Sequence, residues 1–137
     1  MQLTVEALVK APIAKVWSAY TTPADIVQWN AASDDWHTTR AKVDLRVGGA
    51  FFYRMEAKDG SDGFDFAGTY RVVEPERMLA YEFWDRTAQV DFADGPEGVT
   101  ITVTFDAETE NPVEMQEQGW QAILARFKHH VEAKSQG

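Results

Sequence analysis

The chain has 137 residues, 22 acidic and 13 basic, giving a net charge of -9, with 45% apolar and 12% aromatic residues and no cysteine. That length supports one ordinary core and not two, so residues 1–137 are expected to form a single domain. The acidic balance repels phosphate backbones and anionic headgroups, which argues against nucleic-acid and membrane partners, and the lack of cysteine excludes thiolate nucleophiles, disulfides and cysteine-based zinc sites.

Residues 2–9 set Leu3, Val5, Ala7 and Val9 against Gln2, Thr4 and Glu6, the period-two pattern of a half-buried strand. Pro12 then suits a first helical turn, and Ile13, Val16, Trp17 and Tyr20 follow at the i, i+3, i+4, i+7 spacing of a short amphipathic helix. Thr22-Pro23 interrupts it, and a second helical piece over 24–28 leads into Trp29. Apolar segments then alternate with turn residues, predicting strands near 42–47, 50–58, 64–73, 78–85, 88–92 and 99–105 in an antiparallel meander. The turns fall at Gly48-Gly49 and within 59–63, 74–77 and 94–98.

Asn111 as N-cap, Pro112 at the first helical position and Glu114 in capping-box register predict a last helix running to about residue 133, about 33 Å at ~1.5 Å per residue. Val113, Trp120, Ile123, Leu124, Phe127 and Val131 form its apolar stripe, and Glu114, Gln118, Gln121, Lys128 and Glu132 its opposite face. Strand, two short helices, six strands and a long helix make an α+β layout in which the sheet needs one large covering element.

Four segments carry a family resemblance: Lys10-Ala-Pro-Ile-Ala-Lys-Val-Trp17, Asp44-Leu-Arg-Val-Gly-Gly49, Gly68-Thr-Tyr70 leading to Pro75-Glu-Arg77, and Asn111-Pro-Val-Glu-Met-Gln-Glu-Gln-Gly-Trp120. With them the chain resembles the activator-of-heat-shock-chaperone-ATPase-like branch of the START-like (SRPBCC) superfamily, which is related to polyketide cyclases. The resemblance spans essentially the whole chain. It implies a helix-grip fold, a curved antiparallel sheet of about seven strands around one long C-terminal helix, with a cavity between them that different members use for lipids, steroids, polyketides or plant hormones.

The candidate site follows from that cavity. Trp120, Ile123, Leu124 and Phe127 on the helix, with Leu79, Tyr81 and Phe83 on the sheet, either fill a core or line a pocket, and Trp29 and Trp36 are candidates for the same wall. Five Trp and four Tyr supply more amphipathic rings than a dry core easily satisfies, which favours the pocket.

Other chemistry is poorly supported. Gly48-Gly49 lacks the strand-to-helix context of a phosphate loop and reads as a turn or bulge. Counting from Asp59, Phe64 stands where a calcium loop needs glycine and Tyr70 where it needs glutamate. His129 and His130 are adjacent, so they cannot share one helix face as zinc ligands, and they read as surface residues; only His37 is placed to reach a cavity mouth. Ser18, Ser33, Ser61 and Ser135 lie in no elbow-like glycine context. Glu56, Asp65, Glu82 and Asp91 fall within strands and would matter for acid–base chemistry only if turned inward; Glu82, between Tyr81 and Phe83, is expected to face out, while the inward face of strand 50–58 is open.

The leading expectation is a small-molecule binding module for an apolar or aromatic ligand, with no cofactor, no metal and no assigned catalytic residue. An enzyme of the polyketide cyclase or hydrolase type ranks second, and a co-chaperone-like protein partner, implied by the family name alone, ranks third. A homodimer through exposed parts of the sheet is compatible with the sequence. No run reaches the roughly 18 apolar residues of a membrane span. The first six residues carry no basic stretch leading into an apolar one, so a cytoplasmic location is expected.

Overall fold

A computed structural model describes residues 1–136. Strand β1 (Gln2–Val9) is followed by helices α1 (Ile13–Thr21) and α2 (Pro23–Trp29), strands β2 (Trp36–Val43), β3 (Ala50–Ala57), β4 (Gly63–Glu74), β5 (Met78–Phe83), β6 (Arg86–Gly95) and β7 (Gly98–Asp106), and helix α3 (Val113–Gln136). The seven strands form one antiparallel sheet in the order β1-β7-β6-β5-β4-β3-β2. Six strands meander in sequence, and the first closes onto the last. This is the α+β helix-grip architecture, with the sheet curled around α3.

The period-two patterns settle which face is concave. Every second residue of β7, Val99, Ile101, Val103 and Phe105, is buried, as are Leu3, Val5 and Val9 of β1. On β3 the concave face carries Phe51, Tyr53 and Met55. The convex face carries Arg54, which donates to Glu56 at 2.9 Å and to Asp65 at 3.1 Å. Glu82 also lies outside, paired with Arg71 at 2.5 Å, and Asp91 accepts from Gln89.

Two expectations need correction. The second strand lies at Trp36–Val43 rather than 42–47, because residues 44–49 turn tightly. Gly49 N–H donates to the Arg46 carbonyl at 2.8 Å, and a Cβ on Gly49 would stand 2.1 Å from the Asp44 carbonyl oxygen. The capping box at the start of α3 does not form either. Asn111 spends its backbone and side-chain N–H groups on the Glu108 carboxylate, both at 2.8 Å, and Pro112 supplies the first helical carbonyl. Buried Gln116 holds this junction, accepting from Glu108 N–H at 2.8 Å and donating to the carbonyls of Glu108 and Asn111.

The polar side of α3 is also less free than its sequence suggests. Gln121 donates to the Glu6 carbonyl at 3.1 Å, Lys128 to the Leu8 carbonyl at 2.7 Å, and Glu132 accepts from Lys10 N–H at 2.9 Å. These bonds cap an edge strand whose backbone groups would otherwise be unpaired.

Gly68 shows how tightly β3, β4 and β5 are layered. A Cβ there would stand 2.2 Å from the Glu82 carbonyl oxygen and 2.7 Å from the Phe51 ring, both parts of the cavity's sheet wall or its backbone. Gly68→Ala is expected to cost about 2 kcal/mol or more of folding stability by overpacking, measured as a drop in the urea midpoint. An unchanged midpoint would show that the sheet yields here.

Candidate functional site

The concave face and α3 enclose a cavity of about 470 Å³, within the range of about 300–1,000 Å³ usual for small-molecule sites. Its sheet wall is a run of inward-facing rings: Phe51 and Tyr53 from β3, Phe66 and Tyr70 from β4, Tyr81 from β5. Phe51 is the hub, with ring centroids 5.3 Å from Tyr53, 5.2 Å from Tyr70 and 5.0 Å from Tyr81. Trp120 of α3 forms the facing wall and stacks on Phe105 at 4.1 Å with 9° between planes. Beside it Gly119 adds no side chain, and a Cβ there would meet nothing within 4 Å. At the closed end Trp29 is fixed by donating its indole N–H to the Ala19 carbonyl at 3.0 Å.

The mouth is apolar and exposed. Phe64 of β4, Trp84 in the β5–β6 turn and Met115 in the first turn of α3 are 40%, 63% and 58% accessible, and all three border the cavity. Trp84 adopts a φ of 53°, which a bulky residue rarely does. Backbone strain of this kind costs on the order of 1–3 kcal/mol and tends to collect at ligand sites.

Seven of the residues expected from the sequence lie on the wall: Trp29, Trp36, Leu79, Tyr81, Trp120, Ile123 and Leu124. Phe83 and Phe127 do not, being 1% and 0% accessible behind it. Phe127 is caged by Tyr20 at 5.0 Å and Trp29 at 4.9 Å, because α1 and α2 fill the space beside the C-terminal half of α3. His37 borders no part of the cavity; it pairs with Glu56 in the β2–β3 register and so points away from the concave side that Trp36 faces. His130 is no surface residue: its Nε2 lies 2.9 Å from Asp25 Oδ1, which also receives Lys134 at 2.6 Å. Burial raises the Asp25 pKa, but the bonds and charges of Lys134 and His130 outweigh it and hold the carboxyl below its usual range.

Sequence reasoning missed much of the site. Tyr20, Phe66, Tyr70, Trp84, Arg86 and Gly119 all border the cavity. Phe51, Tyr53 and Met55 alternate onto one face of their strand, but only packing shows that this face is the inner one.

All four tyrosines of the chain stand on the wall. Burial raises the pKa of every one: Tyr70 is pushed up to about 12, and Tyr20, Tyr53 and Tyr81 are held well above the usual phenol range. These phenols are therefore neutral at pH 7 and serve as hydrogen-bond donors and acceptors in an otherwise apolar space. Around them stand two amides, Asn30, tied to Thr38 and Met55, and Gln116, tied to Glu108 and Asn111, with Ser33 and one charged group, Arg86.

A curled sheet gripping a helix around an aromatic cavity defines a START-like domain. Residues 10–132 match the family described as Activator of Hsp90 ATPase homolog 1-like protein, and the chain belongs to that family. Its fold matches an AHSA1-like protein from Aeromonas hydrophila, solved by NMR, with a TM-score of 0.93 and 47% identity over 98% of this chain and 94% of that one. A protein from Cytophaga hutchinsonii is similar at a TM-score of 0.84 and 42% identity, covering 97% and 93%. A Nitrosomonas europaea protein shares the fold at a TM-score of 0.85 but only 20% identity, covering 100% and 97%. No curated protein matches the chain. Among the described residues no helix is long and apolar enough to cross a membrane.

Two measurements follow. Because the folded-state phenol pKa values lie above the unfolded value near 10, neutral tyrosine supports the fold fully below pH 10, and that support is lost as pH rises toward 12. Absorbance at 295 nm should show no phenolate until the protein unfolds; a tyrosine titrating near pH 10 in the folded protein would contradict the enclosed wall. For the rim, Trp84→Gly removes an exposed indole and the unfavourable φ together, so the melting temperature should not fall. A clear loss of stability would show that the indole's packing outweighs the strain.

Proposed function

We propose that this protein is a small-molecule binding module that holds an apolar or aromatic ligand in the cavity between the sheet and α3. The observation that carries this reading is the cavity wall itself: about 470 Å³ of space faced by aromatic rings, with all four phenols of the chain turned toward it. A core built only for stability would close on such a volume, since burying the rings fully gains roughly 25 cal/mol per Å². Keeping it open is costly and makes sense if a ligand completes the packing. The wall offers each ligand polar group a neutral phenol and the rest of its surface a ring face.

The enzyme reading has less behind it. Glu56, Asp65 and Glu82 are engaged with arginines on the convex side, away from the cavity, and Asp91 with Gln89. A general acid–base pair facing the ligand is what that reading requires.

The test is a titration with N-phenyl-1-naphthylamine, a neutral apolar fluorophore, beside a thermal-shift screen of polyketides, flavonoids, fatty acids and steroids. Saturable fluorescence enhancement is expected, and ligands that bind the folded state raise the melting temperature by mass action. Gly119→Leu projects a side chain into empty space and should weaken probe binding about tenfold or more while leaving the melting temperature the same or higher, since glycine within a helix costs about 1 kcal/mol relative to better formers. No saturable binding, or equal binding by Gly119→Leu, would remove the cavity as the site.

A further inference from the structure

Arg86 is the only charged side chain among the described residues that border the cavity, in a chain whose net charge is -9. It stands opposite Phe83 in the β5–β6 register, so its side chain rises from the concave face at the tip of the hairpin. Its guanidinium lies 4.6 Å above the Phe83 ring centroid and 5.8 Å from that of Trp84, and one N–H donates to the Asp106 carbonyl at 3.1 Å. Those contacts fix its position without neutralising it. Among the described residues no carboxylate comes within ion-pairing distance of Arg86, whereas Arg46, Arg54, Arg71, Arg77 and Arg126 are each paired with an Asp or Glu. Arg40 is the other unpaired arginine, and it lies over Phe52 on the convex side.

A half-buried guanidinium held beside an apolar opening, with donors to spare and no counter-charge, is arranged to receive an oxyanion, which it binds bidentately. The Tyr81 phenol borders the same cavity and offers a neutral donor inside it. The exposed rings of Trp84 and Phe64 would flank the ligand's neck, and the interior behind them has no second charge. We propose that the cavity selects an amphipathic monoanion, an aromatic or acyl body carrying a single carboxylate or equivalent oxyanion, with Arg86 holding the anionic group at the mouth. This deepens the binding reading above and rests on it.

A matched probe pair tests it. 1-Anilinonaphthalene-8-sulfonate carries the same ring system as N-phenyl-1-naphthylamine plus one anionic group. Both are titrated into the wild-type protein, Arg86→Gln and Arg86→Met, the last keeping an apolar stem over the Phe83 ring. Near-UV circular dichroism identifies the folded variants. The expected result is a loss of about tenfold or more in affinity for the sulfonate in either variant, with the neutral probe changed less than about twofold. Equal losses for both probes would mean that Arg86 only braces the hairpin, and unchanged sulfonate binding would mean that it makes no anion contact; either overturns the inference and leaves the binding reading standing. If neither probe saturates the wild-type protein, the binding reading falls and this inference with it.

Discussion

A seven-stranded sheet is about 29 Å across at ~4.8 Å per strand, while one helix with its side chains is only about 10–12 Å wide. A single helix therefore cannot cover the concave face, and the chain accommodates the mismatch in two ways. The sheet curls around α3, and α1 and α2 fill one end, where Tyr20, Trp29 and Phe127 pack edge to face. Nothing comparable fills the other end. The space left between Trp120 and the rings of β3, β4 and β5 is the cavity.

The seating of α3 determines whether that space survives. Apolar contacts alone would let the helix slide toward the open volume, since hydrophobic burial is non-directional. Directional bonds oppose this: Gln121, Lys128 and Glu132 meet the backbone of β1 and its following residue, and Gln116 ties the first turn to the Glu108 and Asn111 carbonyls. Each such bond contributes only about 1 kcal/mol net. Together they fix the helix in translation as well as distance, which packing against a smooth aromatic wall would not.

Charge is sorted by face with the same effect. The acidic and basic residues of the strands pair on the convex surface, where water screens them and each exposed pair contributes little, about 0–1 kcal/mol. The concave surface keeps neutral phenols, held un-ionised by burial, and the single guanidinium at its mouth. The unfavourable φ of Trp84 sits at that same mouth, next to Arg86, so backbone strain, exposed apolar surface and unpaired charge meet at one end of the cavity.

The sequence by itself determined the elements and their order. The alternation of β1 and β7, the helical spacing of Ile13, Val16, Trp17 and Tyr20, and the stripe from Trp120 to Val131 are periodicities of neighbouring residues, and neighbouring residues are what a strand or helix repeats. Local chemistry misled only where a second local partner competed: Asn111 bonded Glu108 instead of capping α3, and the turn at 44–49 displaced β2 toward Trp36. Membership of the cavity wall needed the tertiary structure. Phe127 and Trp120 share a stripe, yet one is sealed by α1 and α2 and the other faces open space; His130 looked like a surface residue until Asp25, 105 positions earlier, was brought against it. Arg86 gave no signal at all, because what distinguishes it is its place at the cavity mouth with no carboxylate among the described residues in ion-pairing range, and that depends on which distant strands and loops surround it.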